Sequence, residues 1–215
     1  MENRDPGSNQ YSLTLRDGWW VPEADRVCFG IVRREVNDLQ HMLPLCKKYR
    51  RAVQAGGNVG IWPKALSSQF EQVMTFEPDG ANYAALYENT KDVSNIMRVH
   101  AGLGLYNSRA GIDHIDPSNI GAHQIKEGDD FEIVPLDQYG FEDVDFLQLD
   151  VEGFEHFAIM GAEQTIRASW PVISLELKGL GKRYGVDDED TVEFLRALGY
   201  AVTNRIHRDV IFTKG

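Results

Sequence analysis

The sequence predicts a three-layer α/β sandwich with a mostly parallel sheet and one antiparallel edge pair, on three observations. From Arg51 onward, short apolar runs alternate with helical-period segments. A glycine-rich turn, Ala55-Gly56-Gly57-Asn58-Val59-Gly60, joins the first of those runs to the first helix. The chain then finishes in two short strands around a polar turn. At 215 residues there is room for one domain with a real core. The expected division is a 1–50 extension and helical segment packed on a 51–215 domain, with an irregular insertion at about 102–130.

Residues 1–25 are polar and punctuated by Gly and Pro, with Trp19 and Trp20 as anchors. Val36, Leu39, Leu43 and Cys46 recur at roughly helical spacing, and Pro44 predicts one kinked helix or two short ones. Strands are expected at Arg51–Ala55, Val73–Glu77, Ile96–Ala101, Asp145–Asp150 and Val172–Leu177. Pro63 suits a first helical turn in a helix reaching about Phe70, and a second helix covers Ala81–Asn89. Glu132–Leu136 is extended. Phe154, Phe157, Ala158, Gly161, Ala162, Thr165 and Ile166 share one face of a helix. A last helix, Asp187–Leu198, has acids at its start and Gly199 past its end. Tyr200–Arg205 and Val210–Thr213 form the terminal hairpin.

The 22 basic and 33 acidic residues give a net charge of −11, which weighs against nonspecific binding to nucleic acid or anionic membranes. Cys28 and Cys46 are too few for a disulfide framework and lack metal-ligand spacing, so reduced thiols in a cytoplasmic protein are expected. The polar N-terminus has no signal-like apolar stretch, and no segment has the roughly 20 apolar residues of a membrane span.

Three motifs carry chemistry. The glycine turn fits a nucleotide-like cofactor at a helix N-terminus, or a tight structural turn; its spacing is not G-x-G-x-x-G. Glu77, in Phe76-Glu77-Pro78-Asp79, ends the second strand about 20 residues later, where an acid can accept from ribose hydroxyls; alone it reads more often as a solvated loop residue or helix cap, and coupled to the glycine turn the functional reading is the better one. In Asp145–Glu155, DFLQLDVEGFE, an apolar strand ends on Asp150, followed by Glu152, Gly153 and Glu155. Grouped carboxylates resist desolvation, so such a strand end reads as part of a site, where Asp150 and Glu152 can orient an ammonium, accept a proton or hold a cation. The alternative is a helix N-terminus, the better reading for Glu155. His100, His114 and His123, with Asp113 and Asp116, lack ligand spacing and are expected to be surface or structural, so no metal site is assigned. Lys178 can orient an acidic substrate group, and Trp19, Trp20 and Trp62 suit ring stacking or packing.

In this order the motifs resemble the FkbM family of S-adenosylmethionine-dependent methyltransferases. The matching segments are Gln54–Gly60, Phe76–Pro78, Leu136-Asp137, Asp150–Glu155 with Gly161-Ala162, and Pro171–Glu176; Asn119, Gly121 and His123 resemble its N-x-G-x-H segment. The resemblance implies a Rossmann-like class I methyltransferase sandwich. It also implies that Gln54, Gly56, Gly57, Asn58 and Gly60 hold the methionine part of the cofactor. Glu77 and Pro78 then meet the ribose, the Arg98–Gly104 region including Ala101 lies near the adenine, and Asp150 stands near the methyl group. Gln54 departs from the family's usual Asp.

The implied function is methyl transfer to a hydroxyl of a sugar, glycan or other small polar metabolite, with Asp150, Glu152 and His123 as the catalytic candidates. A nucleic-acid methyltransferase is the nearest enzymatic alternative, although N/D-P-P-Y/F/W and Pro-Cys segments are missing. Gln54 motivates another alternative, a lapsed cofactor-binding or scaffold protein. A nicotinamide-dependent oxidoreductase ranks last on glycine spacing. Oligomeric state has no signature in the sequence.

Overall fold

The computed structural model describes residues 11–116 and 118–215. The chain opens with a hairpin, β1 (Leu13–Arg16) and β2 (Trp19–Pro22), turning at Asp17-Gly18, both at positive φ. Helix α1 (Cys28–Glu35) follows, its first free N–H groups satisfied by Asp25, which accepts from Cys28 and Phe29 at 3.0 Å. A 3-10 turn leads into α2 (Leu39–Met42), and a second 3-10 turn containing Pro44 ends the helical stretch.

The central domain runs β3 (Arg51–Ala55), α3 (Ile61–Ser67), β4 (Gln72–Phe76), α4 (Gly80–Thr90) and β5 (Ile96–Val99). An arm of β6 (Gly102–Leu103), β7 (Ser108–His114) and β8 (His123–Val134) follows. Residues 102–130, expected as an irregular insertion, are thus mostly a three-stranded sheet of order β6-β8-β7. The chain returns through β9 (Val144–Leu149), α5 (Glu155–Met160), α6 (Glu163–Ser169) and β10 (Val172–Glu176). It ends with α7 (Asp188–Ala197), β11 (Tyr200–Ile206) and β12 (Asp209–Lys214).

The main sheet has the order β11-β12-β10-β9-β3-β4-β5, parallel from β10 to β5 and antiparallel through the terminal hairpin. This is the expected architecture. Buried apolar side chains pack on both faces of the sheet. One cluster holds Phe76, Leu147, Leu149, Ile159 and Phe212; the other holds Met42, Leu66, Phe70 and Phe146. Among the described residues no helix is long and apolar enough to cross a membrane.

The helix expected across Phe154–Ile166 is two helices broken at Gly161-Ala162. A Cβ on Gly161 would stand 2.0 Å from the Gly104 carbonyl oxygen, so the chain passes the arm only with glycine there. Asp137 restarts the helix: its carboxylate accepts from the N–H groups of Gln164 (2.9 Å) and Thr165 (2.8 Å). The Leu136-Asp137 motif therefore places a buried leucine and a cap.

Candidate functional site

Strand order reverses between β3 and β9: the chain moves from β3 outward to β4 and β5, then returns to β9 on the other side. The ends of β3 and β9 therefore diverge into a crevice at the carboxyl edge of the sheet, the position where open α/β sheets bind ligands. A cleft of about 220 Å³ lies there.

Its first wall is the glycine turn. Gly56 has φ +85, and a Cβ on it would stand 2.0 Å from the Asp150 carbonyl oxygen. The turn is thus pressed against the end of β9, an approach that excludes any side chain. Backbone N–H groups of Gly56 and Gly57 donate to the Phe76 carbonyl at 3.1 and 2.9 Å. Gln54 is buried and braced: its Nε2 donates to the Gly56 carbonyl at 2.8 Å and its Oε1 accepts from the Thr75 hydroxyl at 2.5 Å. Asn58 sits at φ +47, a conformation Asn tolerates better than most residues.

Glu77 forms the second wall. Its Oε2 accepts from the Asn58 N–H at 2.6 Å and its Oε1 from the Asp79 N–H at 2.9 Å, so one carboxyl ties the glycine turn to the start of α4. Burial, with the neighbouring Asp79 charge, pushes its pKa up to about 8 despite those two donors.

The acidic cluster makes the third wall. Asp150, Glu152 and Glu176 converge on Lys178, which donates to Glu152 at 3.0 Å and to Glu176, with Asp150 at 4.0 Å. Burial and the facing Glu176 raise the Asp150 pKa well above the usual carboxyl range. Glu176 is held below its usual value by its hydrogen bonds to Asp150 and Lys178. Asp150 and Glu176 therefore titrate as one interacting pair, with Asp150 the member pushed up. The Asp150 side chain is 42% open, but it opens onto the recessed cleft. Glu152 occupies a left-handed conformation at φ +54, with its pKa raised by burial. Glu155 sustains that turn from below: buried, it accepts from the N–H groups of Val151 (3.0 Å) and Gly153 (3.2 Å). Burial lifts its pKa to about 7.

Helix α1 and the arm cover the cleft, through Cys28, Ile31, Val32, Ile112, Ile120 and His123. Cys28 and Cys46 are free and buried, and burial pushes each thiol up to about 12. Trp19 lies under the Lys64 ammonium, Trp20 is hydrogen-bonded through its backbone to Asn89, and Trp62 lies in the cleft wall.

Of the residues expected from sequence, Gln54, Gly56, Asn58, Glu77, Pro78, Asp150, Glu152 and His123 line this one cleft. Gly57 and Gly60 stand behind the turn, packed against Leu86. Ala101 is buried away from the cleft lining, where its neighbours Gly102 and Leu103 take that place. Arg98 is turned away to Thr90 and the Ile96 carbonyl. His100 stacks on Tyr83 and donates to the Pro78 carbonyl at 3.1 Å.

Sequence reasoning missed Gln148 and Asn82, buried residues of the cleft wall. Among the described residues, Gln148 Oε1 and Asn82 Oδ1 are buried with no hydrogen-bond partner. Orphaned acceptors are costly, so both await a ligand donor or water. The signal for Gln148 was present: a single amide inside the apolar strand DFLQL, beside Gln54 in register. A wall of carboxylates and free acceptors fits a cationic ligand with several N–H and O–H donors, as S-adenosylmethionine is.

The chain matches the Methyltransferase FkbM domain over residues 54–202. No curated protein sequence matches it significantly. Among solved structures it is similar to the methyltransferase FkbM of Methylobacillus flagellatus KT, with 18% identity and a TM-score of 0.57 over 83% of this chain. It spans about half, 47%, of that protein's length. It is also similar to an rRNA methylase of Streptococcus thermophilus, at 12% identity and a TM-score of 0.52, covering 85% of this chain and 95% of that one. A protein from Streptococcus mutans in complex with SAH aligns at 11% identity and a TM-score of 0.51, covering 86% and 97%. These likenesses establish a class I methyltransferase fold. With the domain match and the cleft just described, they lead to one assignment: the chain belongs to the FkbM methyltransferase domain family, whose cofactor is S-adenosylmethionine.

Proposed function

We propose that this chain is a cytoplasmic O-methyltransferase that moves the methyl group of S-adenosylmethionine onto a hydroxyl of a sugar or other small polar metabolite. The observation that carries the reading is the convergence of the glycine turn, Glu77 and the Asp150–Glu152–Glu176 cluster on one recessed cleft. When bound, the cofactor supplies an electrophilic methyl on a sulfonium sulfur. The turn at Gly56–Asn58 holds its methionine end, where Gln148 Oε1 and the acidic cluster receive the ammonium. Glu77 keeps lone pairs free for ribose hydroxyls beyond its two backbone donors. Such a displacement draws most of its rate from positioning, which the braced turn and the clamped Asp150–Gly153 segment provide. Asp150 and Glu152 are the carboxyls available to receive the acceptor proton, and His123 stands on the covering arm as the acceptor-side group. The cover of α1 and the arm favours an acceptor small enough to enter between them. The two free, buried thiols suit a reducing compartment.

The test is calorimetric titration with S-adenosylhomocysteine, followed by assay of methyl transfer to pooled sugars, polyols and RNA. Binding with transfer to a small hydroxyl compound supports the reading, and absence of binding at millimolar concentration refutes it. Transfer to RNA alone overturns the acceptor class. Binding without transfer to any acceptor favours a lapsed binding protein, the second reading, which Gln54 motivates.

A further inference from the structure

The arm brings together three side chains that neither the glycine turn nor the acidic cluster uses. His114 and His123 are directly paired across β7 and β8, and their rings meet edge to face with His114 Nδ1 3.1 Å from His123 Nε2. Facing them is Asp79, the N-cap of α4, whose Oδ2 lies 3.6 Å from His114 Nε2. One ligand atom from each of the three lies within 4.8 Å of the others. From these positions we infer that Asp79, His114 and His123 form a binding site for a first-row divalent cation of the zinc class.

The chemistry of each group fits. The 3.1 and 3.6 Å separations lie on different nitrogens of His114, so a common ion takes one of them; the three ligand atoms, within 4.8 Å of one another, would then close toward the spacing of about 3.3 Å expected of ligands held about 2.0–2.1 Å from a tetrahedral ion. His114 and His123 are within hydrogen-bonding distance, whereas Asp79 Oδ2, 3.6 Å from His114 Nε2, is not. Asp79 is already oriented as a ligating carboxylate should be. Its Oδ1 accepts from the N–H groups of Ala81 (3.0 Å) and Asn82 (2.9 Å), which leaves Oδ2 directed at the histidines. The Asp79 side chain is 9% exposed and stands beside the buried Glu77, while among the described residues His114 is its one ion-pair partner. Neutral imidazoles are the ligating form. Two nitrogens and one carboxylate oxygen select zinc, cobalt or iron over magnesium or calcium.

Three protein ligands leave a coordination position for water or an acceptor oxygen, as in catalytic rather than structural zinc sites. His123 belongs to the cleft wall, so the ion would border the acceptor side. There it would lower the pKa of a bound hydroxyl. That consequence rests on the methyl-transfer reading, whereas cation binding does not.

The test is equilibrium dialysis of the full chain against Co²⁺ and Zn²⁺, with elemental analysis, visible absorption and thermal melting. The expected result is one ion per chain, a visible Co²⁺ band and a metal-dependent rise in Tm. His114→Ala and His123→Ala should each weaken binding at least ~10-fold and abolish the band. Asp79→Asn, which keeps the Oδ1 cap, should weaken binding while the metal-free Tm stays close to wild type. No stoichiometric binding at 0.1 mM-scale (~10⁻⁴ M) Co²⁺ or Zn²⁺ would overturn the site, since catalytic-type zinc ligation is far tighter. Binding unchanged by both histidine substitutions but lost in Glu176→Gln would overturn it too, assigning the ion to the acidic cluster. Because the readout is metal content and spectrum, failure here leaves the methyl-transfer reading standing.

Discussion

Replacing Glu77 with Gln separates two costs that the wild-type carboxyl carries together. Both of its oxygens accept backbone N–H groups, from Asn58 at 2.6 Å and Asp79 at 2.9 Å. Gln has one oxygen, so its amide group must face one of these donors, orphaning a buried N–H at a cost of about 1–3 kcal/mol. The wild type carries a different, pH-dependent cost. Its folded pKa is raised to about 8 from the ordinary glutamate value of 4.5. Between those values the folded state keeps a proton that the unfolded state has released, so stability falls as pH rises through this window. At 1.36 kcal/mol per pKa unit the full fall is bounded near ~5 kcal/mol. Glu155 and Asp209, each raised to about 7 by burial, push stability in the same direction in both proteins. The wild-type-minus-variant difference isolates Glu77. At pH 5 the Gln variant should melt lower by about 2–12 °C, using 2–4 °C per kcal/mol for a domain of this size. By pH 8.5 the gap should close or reverse, because only the wild type then carries a buried charge. Melting curves at half-unit pH steps give the answer. A gap that stays constant or widens toward pH 8.5 would refute a buried carboxyl with a raised pKa.

Other substitutions probe the remaining walls. Gly56→Ala places a methyl 2.0 Å from the Asp150 carbonyl oxygen at φ +85, and should lose at least tenfold in S-adenosylhomocysteine affinity by calorimetry and destabilise the fold by roughly 2–4 kcal/mol. Lys178→Met strips the cation from Asp150, Glu152 and Glu176, and a loss of about 2–4 kcal/mol should appear in denaturant titrations at pH 8. Asp137→Ala removes the cap of α6 and should cost about 1 kcal/mol, with cofactor affinity unchanged because it lies outside the cleft lining.

The features readable in the sequence are those whose physics is local. A glycine turn after an apolar strand, an acid at the next strand end and Asp150 at another each declare themselves within a few residues. Strand alternation then fixed which ends share an edge of the sheet. What escaped depends on register. His114 and His123 are nine residues apart along the chain without ligand spacing, yet the arm pairs them directly. Asp79, which faces them, lies far earlier and reads as a helix cap, which it also is. The aspartates weighed beside those histidines, Asp113 and Asp116, are exposed, and the carboxylate the fold sets against His114 is Asp79. The Phe154–Ile166 face failed for a similar reason. Its period was continuous, but the contact of Gly161 with Gly104 is a tertiary constraint that breaks the helix.

Gln54 shows how a departure from a family pattern is weighed. An Asp there would add a carboxylate near Glu77, which is pushed up to about 8, and across the turn from Asp150, which is also raised by burial and the facing Glu176. Another buried negative charge would raise both further. Gln54 avoids that repulsion while its amide braces the Gly56 carbonyl, a bond that an ionised Asp could not donate. Its own oxygen is committed to Thr75, so the accepting atom open to a ligand at this level of the sheet is that of its register partner, Gln148. Gln54 therefore removes a charge while leaving acceptors on the cleft wall. Measured cofactor affinity should accordingly be more sensitive to Gln148→Leu, which deletes the free acceptor, than to Gln54→Glu, which restores a carboxylate.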